Sequence, residues 1–251
     1  MKMKSLNLQQ TLDKINLHYV EGNEFDAILT PYEINLIKDY FSGKKFLEMG
    51  CSIGNSTIQL LKFTKSIDIV EGSGKNITSA KRKVAQIAKN DLAKLTFYKM
   101  LWEEFPFDKD YSDVFWIRGI EHVKNPQKIL KKILISLKKT KGRLHLVTVN
   151  AFSLNRRIGV LMGMLKDVHE LSDRDLKFGH FKVYDKKQLE IMLKKCGYKI
   201  LQSTGIMLKP LPNNKMYELY KENPKIIHAF NAIGKELPDY CTEVYICAAP
   251  N

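Results

Sequence analysis

Residues 44–57, KKFLEMGCSIGNST, constrain the fold of this chain more than any other stretch. A short apolar run ends at the acid Glu48, and the chain then breaks at Gly50, Ser52 and Gly54 before a segment with apolar residues at helical spacing. This order predicts a strand, a tight turn and the start of a helix. In an α/β sheet, such a turn is where the backbone can approach a ligand closely. We expect the two glycines to omit side chains that would keep a ligand away.

The rest of the chain alternates between strand-like and helix-like segments. The acid Glu71 ends the second apolar run, about 20 residues after the glycine turn, where a carboxylate can accept hydrogen bonds from both hydroxyls of a ribose. A solvated acid at a strand end is the plainer alternative. Further strands are predicted at 95–101, 113–120, 142–149, 198–208 and 241–249. The alternation indicates parallel strands joined by crossover helices.

The turn does not predict a dinucleotide site. That fingerprint requires three glycines, and this chain has Gly50 at the first position but Ser52 and Asn55 at the other two. The pattern Glu-x-Gly-x-Ser-x-Gly instead resembles the first motif of class I S-adenosylmethionine-dependent methyltransferases, in which the middle residue is usually glycine. The resemblance implies an α/β fold with a doubly wound, mostly parallel seven-stranded sheet and a reversed last strand. It also implies S-adenosyl-L-methionine as cofactor and S-adenosyl-L-homocysteine as product.

The same resemblance implies which residues contact the cofactor. Many relatives have an acid at the position of Leu101 to contact the adenine, and we expect apolar contact from Leu101 and Trp102 instead; core packing is an equal alternative for Trp102. Arg118 can pair with the cofactor's carboxylate. The expected cofactor-binding residues are Glu48, Gly50, Cys51, Ser52, Gly54, Glu71, Gly72, Leu101, Trp102 and Arg118.

The run Glu121-His122-Val-x-x-Pro126 resembles the segment after strand four in many small-molecule methyltransferases. One branch, the quinone O-methyltransferases, carries an acid three residues before the Glu-His pair, which completes a metal site. This chain has Arg118 at that position, and a guanidinium does not bind metals. The sequence therefore predicts no metal. His122 is a candidate catalytic base, although a structural role for this histidine is the commoner outcome.

Residues 150–184 depart from the minimal fold, and we expect them to form a helical lid over the carboxyl edge of the sheet, with an apolar helix around 158–165. With the run at 209–213, they resemble bacterial methyltransferases encoded with surface-polysaccharide genes. The resemblance implies a capsule or lipopolysaccharide precursor, such as a sugar nucleotide or a phosphoramidate-type group. The candidate bases are His180, His122 and His169, in that order, and the candidate substrate contacts are Asn150, Arg156, Arg157, Arg174 and Tyr184.

One domain over residues 1–251 is expected, with a helical cap at 1–43, the lid, and a helical insertion at 209–238. No apolar run reaches the length of a membrane span, so we expect no membrane insertion and a cytoplasmic location. The four cysteines lack metal-ligand spacing and are expected to be free thiols.

The net charge of +14 has two explanations. Most of the basic residues are lysines in helical pairs, which indicates solvated faces and an AT-rich genome. Against this, four of the six arginines are expected at or beyond the strand tips, and arginine suits bidentate contacts with phosphate or carboxylate. We therefore expect methyl transfer to an oxygen of a small anionic metabolite. A tRNA or rRNA methyltransferase, or an N-methyltransferase of an amino sugar, is the alternative; nucleic acid is not the expected partner, and the oligomeric state is left open.

Overall fold

The structure is a computed structural model that describes residues 24–251. A seven-stranded sheet forms its centre. The strands are β1 (Lys45–Met49), β2 (Ser66–Glu71), β3 (Leu95–Lys99), β4 (Asp113–Ile117), β5 (Arg143–Val149), β6 (Tyr198–Leu208) and β7 (Cys241–Pro250).

The strand order is β3-β2-β1-β4-β5-β7-β6. The first five strands are parallel, and β7 runs antiparallel between β5 and β6. The order reverses between β1 and β4, so a crevice is expected above the carboxyl ends of these two strands, where α/β folds bind their ligands. The predicted fold, including the reversed last strand, is confirmed.

Helices cover both faces of the sheet. They are α1 (Glu24–Ile37), α2 (Asn55–Leu60), α3 (Gly74–Ile87), α4 (Pro126–Thr140), α5 (Leu154–Leu161), α6 (Asp173–Lys177), α7 (Lys186–Lys195), α8 (Asn213–Glu222) and α9 (Lys225–Glu236). Local chemistry sets several of their ends. Pro126 occupies the first turn of α4, where its missing amide hydrogen costs nothing. The Asp185 side chain accepts from the amide of Gln188 and caps α7.

The core is divided by the sheet, and β4 shows how. Val114 and Trp116 face the side covered by α4 and α7, whereas Phe115 faces the side covered by α1, α2, α3 and α9. Successive side chains of a strand point to opposite faces, so one apolar strand supplies both cores. Full burial of one such side chain contributes about 1.5–3 kcal/mol.

The insertions differ in detail from the prediction. The apolar lid helix expected around 158–165 is α5, which begins and ends four residues earlier. The C-terminal insertion contains α8 and α9, separated at Asn223 and Pro224, because proline ends a helix. Helix α1 lies within the expected N-terminal cap, and residues 1–23 of that cap lie outside the described part of the chain.

Two further expectations concern the whole chain. The four cysteines, Cys51, Cys196, Cys241 and Cys247, are all buried and free, as expected. Between residues 24 and 251, no helix has the length and apolar character needed to cross a membrane.

Candidate active site

The glycine turn between β1 and α2 bends through the left-handed region. Gly50 has φ +86°, Gly54 has φ +89°, and Ser52 between them has φ +46°. A Cβ on Gly50 would lie 2.9 Å from the Trp102 ring, and one on Gly54 would lie 3.0 Å from the Cα of Ala80. The glycines thus make room for the protein's own indole ring and for helix α3. The expected clearance for a ligand at the same turn stays a prediction.

Glu71 ends β2 beside this turn, and only 8% of it is exposed. Its Oε1 accepts from the amide of Ser73 at 2.8 Å, and its Oε2 accepts from the amide of Ser52 at 3.2 Å. The buried Cys51 thiol lies 4.0 Å from Oε2. Burial raises the pKa of Glu71, while these amide donors oppose the rise. The Asn76 side chain also donates to this carboxylate, so a ribose hydroxyl would share its oxygens with the protein's own donors.

Glu48 is hydrogen-bonded to the first turn of α2. Its two oxygens accept from the hydroxyls of Ser56 at 2.5 Å and Thr57 at 2.7 Å. Burial raises its pKa to about 7, although the two hydroxyls oppose the shift. In this structure Glu48 braces β1 against the start of α2, and a contact of Glu48 with the cofactor stays a prediction.

Trp102 packs against Gly50 of the turn. Leu101, which precedes Trp102, and Gly72, which follows Glu71, are both half-buried. The indole nitrogen donates to the carbonyl of Val70 at 3.1 Å, and the ring packs edge-to-face on Trp116 with centroids 5.7 Å apart. Trp102 is itself half-buried. It therefore packs as a core residue on one side and offers a partly open face on the other, so both sequence interpretations remain compatible with its position.

Arg118 follows β4 with φ +49° and turns its side chain toward α1 and β7. Its guanidinium forms ion pairs with Glu33 and with Glu243, the latter at 2.9 Å, and donates to the Thr30 hydroxyl at 3.0 Å. The nearby carboxylates raise the Arg118 pKa against the opposing effect of burial. The structure thus engages Arg118 with two protein carboxylates, where the sequence analysis expected the cofactor's carboxylate.

Two of the three candidate bases lie together. The rings of His122 and His180 are 4.7 Å apart between centroids, and they meet edge-to-face. The Glu121 carboxylate, which is 2% exposed, lies beside them. Burial and the neighbouring His180 lower the His122 pKa to about 3, so His122 is neutral at physiological pH. His180 comes from the lid, whereas Glu121 and His122 directly follow the sheet.

A carboxylate orients His180. The His180 Nδ1 lies 2.9 Å from Asp175 Oδ1, and Asp175 in turn accepts from Arg156 at 3.0 Å and from the amide of Ser172 at 2.9 Å. Burial alone would raise the Asp175 pKa, but the hydrogen bonds from His180 and Ser172 hold it well below its usual range. An ionised carboxylate at Nδ1 leaves Nε2 as the ring nitrogen that faces a ligand.

The third candidate base, His169, belongs to a different group. Its Nε2 pairs with Asp185 at 3.0 Å at the start of α7, and its ring meets Phe152 edge-to-face. These contacts fasten the lid to α7. His169 is therefore not part of the group formed by Glu121, His122 and His180.

Three of the expected substrate contacts hold the lid together. Arg156 uses its guanidinium on Asp175 and on the carbonyls of Val168 and Glu170. Arg157 donates to the Phe152 carbonyl at 3.1 Å and stacks on Tyr240. Asn150 donates to the carbonyls of Asp239 and Cys241 at the start of β7. These contacts brace the lid, and a role of the three residues in binding the substrate stays a prediction.

Arg174 is the most open of the expected substrate contacts, since 49% of its side chain is exposed. It stacks on Phe178, and its Nη2 lies 3.8 Å from Asp26 of α1. Tyr184 is 6% exposed, and burial raises its pKa. Tyr184 pairs with Asn150 in an isolated bridge, which places it at the base of the lid.

Lys209 is a residue that the sequence analysis did not single out. It is 9% exposed at the end of β6, where its Nζ donates to Asn213 at 2.6 Å. Burial lowers its pKa to about 8, with Asp26 opposing and Arg174 reinforcing the shift. Lys209 and Arg174 therefore both lie near Asp26 of α1.

Two other residues of the site were also missed as individuals. Glu121 belongs to the Glu-His pair after β4, and Asp175 lies five residues before His180 in the lid. The short spacing between Asp175 and the Gly179-His180 step could have indicated that this carboxylate pairs with His180. No pattern in the sequence indicated that the lid returns His180 to the end of β4.

The turn and Glu71 suit an adenosine cofactor. Two buried polar atoms beside them, Ser52 Oγ and Asn76 Oδ1, have no hydrogen-bond partner among residues 24–251. A buried polar atom without a partner is costly, so a polar ligand here would gain from satisfying them. The carboxylate of Glu71 and these two oxygens fit a ligand that presents hydroxyl and amine donors.

The solved structures of several methyltransferases are similar to this chain. One from Thermotoga maritima is 17% identical with a TM-score of 0.65, covering 96% of this chain and 99% of its own. One from Clostridium acetobutylicum is 12% identical with a TM-score of 0.58, covering 91% and 92%. Magnesium protoporphyrin IX methyltransferase from Synechocystis, with bound S-adenosylhomocysteine, is 13% identical with a TM-score of 0.54, covering 92% and 83%. At these identities the similarity shows the fold.

The sequence itself matches a protein family. Residues 31–203 match the family described as Methyltransferase domain, which is more than half of the chain. No curated protein sequence matches the chain. The match spans the glycine turn, Glu71, the Glu121–His122 pair and the lid. By this match and by its fold, the chain belongs to the class I S-adenosylmethionine-dependent methyltransferases.

Proposed function

We propose that this enzyme transfers the methyl group of S-adenosylmethionine to an oxygen of a small anionic metabolite. One observation carries the proposal: Glu121, His122 and His180 form a compact group of proton-binding side chains at the end of β4. This group lies at the same edge of the sheet as the glycine turn, because β1 and β4 are parallel neighbours. The cofactor supplies an electrophilic methyl group at that edge.

The cofactor is held by the first two strand tips. Glu71 accepts the ribose hydroxyls, and the Gly50–Gly54 turn lets the main chain approach the amino-acid end. Leu101 and the open face of Trp102 contact the adenine. Glu48 acts through Ser56 and Thr57 by keeping the turn in place.

If the acceptor is a hydroxyl group, it transfers its proton to a histidine of this group. Of the candidate bases, His180 is placed best, because Asp175 fixes its tautomer with Nε2 available to a proton. His122 is the second candidate, and its neutral state suits a hydrogen-bond partner of the acceptor. An acceptor that is already ionised, such as a phosphoryl oxygen, needs orientation but no base.

Arg174 of α6 and Lys209 after β6 bind the negatively charged group of the acceptor. Arginine binds phosphate or carboxylate in two-pronged contacts, and a buried lysine gains from an anionic partner. We extend the proposal to a precursor of capsule or lipopolysaccharide, such as a sugar nucleotide or a phosphoramidate-type group. That extension is supported by the resemblance of residues 150–184 and 209–213 to methyltransferases of surface-polysaccharide gene clusters.

The test is methyl transfer to a panel of acceptors. The purified protein is incubated with S-adenosylmethionine and with nucleotide sugars, phosphorylated sugars, amino sugars or tRNA, and each product is analysed by mass. We expect a methyl increment on an anionic acceptor's oxygen, with release of S-adenosylhomocysteine. Methylation of an amino-sugar nitrogen or of tRNA, with none on the anionic small molecules, would contradict the proposal.

A further inference from the structure

The group at the end of β4 has the composition of a metal site. Glu121, His122 and His180 each offer one ligand atom, and these atoms all lie within 4.8 Å of one another. We propose that the three side chains bind one divalent transition-metal cation, which in turn binds the anionic oxygen of the methyl acceptor. The second half of this inference rests on the proposed function, whereas the metal site itself does not.

Arg118, which stands where a metal-binding relative has an acid, does not oppose a cation at this group. The Arg118 guanidinium is turned toward Glu33 and Glu243, so its charge is balanced away from the histidines. The ligand that Arg118 could not supply comes instead from the lid, as His180. The motif after β4 alone provides two ligands, and the third depends on how residues 150–184 fold back.

Each of the three groups has an outer partner of the kind that orients metal ligands. His180 has Asp175 at Nδ1, 2.9 Å away, and the His122 ring hydrogen-bonds with backbone of Phe178 and Gly179. Glu121 Oε2 accepts from the Thr148 hydroxyl at 2.9 Å. Histidines that bind metals almost always donate their second nitrogen to a carboxylate or carbonyl in this way, which fixes the tautomer and makes the ligand more basic.

The position of Asp175 is in turn fixed by the lid. Its Oδ2 accepts from Arg156 at 3.0 Å and from the Ser172 hydroxyl at 2.6 Å. Arg156 thereby acts on the site through Asp175, and each of its three guanidinium nitrogens donates within the lid. The ionised Asp175 would hold the imidazole of His180 in the orientation that presents Nε2 to the metal.

The ligand set indicates which metals are suitable. Two imidazoles and one carboxylate favour zinc, iron, cobalt or manganese, whereas magnesium and calcium prefer oxygen ligands alone. Ligands of a tetrahedral zinc ion lie roughly 3.4 Å apart, from its bond lengths of about 2.0–2.1 Å. Binding therefore requires the widest separation among the three ligand atoms, which is at most 4.8 Å, to shorten by up to about 1.4 Å.

Three protein ligands leave at least one coordination position open, as in zinc enzymes that act on a bound molecule. An acceptor oxygen in that position is held by the cation, and the pKa of a bound hydroxyl falls so that its proton passes to solvent. The resulting oxygen anion forms its bond to the methyl carbon as the carbon–sulfur bond breaks. In that state His122 and His180 serve as ligands, and neither is the base.

The test measures metal binding without cofactor or acceptor. The full chain is stripped with a chelator, dialysed and titrated with Co²⁺, and the visible absorption of the bound ion reports its coordination; Zn²⁺ is titrated in competition. We expect one ion per chain, with affinity lowered tenfold or more in His180→Ala and in Glu121→Gln. Asp175→Asn should lower the affinity by about 10–100-fold, which is the usual effect of an outer partner.

His169→Ala is the matched control, because His169 also lies in the lid and also pairs with an aspartate, but outside the group. It should bind Co²⁺ as the unchanged protein does. Binding of S-adenosylhomocysteine and the thermal unfolding midpoint show that each variant remains folded.

Two results would overturn the inference: absence of Co²⁺ and Zn²⁺ binding in protein that still binds S-adenosylhomocysteine, or equal metal affinity in the His180→Ala and His169→Ala variants. In either case methyl transfer could still proceed with His180 as base. Metal binding without any cofactor binding would count against the proposed function and leave the metal site supported.

Discussion

The guanidinium of Arg118, at the carboxyl end of β4, lies 2.9 Å from the carboxylate of Glu243 in β7. The two residues are 125 positions apart in sequence, and Glu33 of α1 binds the same guanidinium nitrogen. Glu33 and Glu243 are 0% and 3% exposed. Arg118 therefore links the parallel half of the sheet, the reversed strand and helix α1 through one partly buried guanidinium, whose two carboxylate partners are buried.

Replacing Arg118 by alanine should destabilise the fold by about 3–5 kcal/mol, because it leaves buried carboxylates without their cation. Urea unfolding measures this change. Arg82→Ala, which removes an exposed arginine of α3, should change the free energy of unfolding by less than about 0.5 kcal/mol. If Arg118→Ala instead unfolds like the unchanged protein but binds S-adenosylhomocysteine poorly, then Arg118 contacts the cofactor as the sequence analysis expected.

The sheet was predictable because its signals are local. Apolar runs such as 67–71 and 142–149, separated by helical patterns, define parallel strands without knowledge of distant residues. The direction of the Arg118 side chain was not predictable, since it depends on a positive φ and on Glu33 and Glu243 far along the chain.

The candidate site was predictable in part, and for the same reason. Glu71 and the Glu-His pair could be placed from the strands that precede them. The approach of His180 to His122 depends on the lid, whose path is set by its internal contacts, such as the ion pair of Arg156 and Asp175. The sequence spacing of these residues does not predict where a lid of this length contacts the sheet again.

Gly50→Ala should destabilise the protein for two separable reasons. Alanine at φ +86° costs about 1–2 kcal/mol, and its Cβ would lie 2.9 Å from the Trp102 ring, which adds about 1–3 kcal/mol. Gly163→Ala is the matched control, because Gly163 has φ +71° with no atom within 4 Å of the added Cβ. We expect urea unfolding to show a larger loss for Gly50→Ala. Equal losses in the two variants would mean that Trp102 does not restrict the turn.

Trp102 should report cofactor binding by fluorescence. The chain has two tryptophans, and Trp116 is fully buried while Trp102 keeps a partly exposed face. S-adenosylhomocysteine should change the emission of the unchanged protein and leave that of Trp102→Phe nearly constant. Loss of indole contact should weaken binding by about 0.5–1.5 kcal/mol, measured by calorimetry. If Trp102→Phe binds with unchanged affinity, the indole serves core packing alone.

Glu48 should make stability depend on pH. Its folded pKa of about 7 lies above the usual value of 4.5, so the folded state binds the proton more tightly than the unfolded state does. The free energy of unfolding should therefore fall as pH rises from about 4.5 to 7 and level off above that, by about 3 kcal/mol from this group. Urea unfolding of the unchanged protein and of Glu48→Gln, at pH 5 and pH 8, isolates the contribution, since glutamine cannot ionise. The exposed Glu222→Gln variant should keep the full pH dependence of the unchanged protein. A Glu48→Gln variant that loses as much stability as the unchanged protein between these pH values would show that another group is responsible.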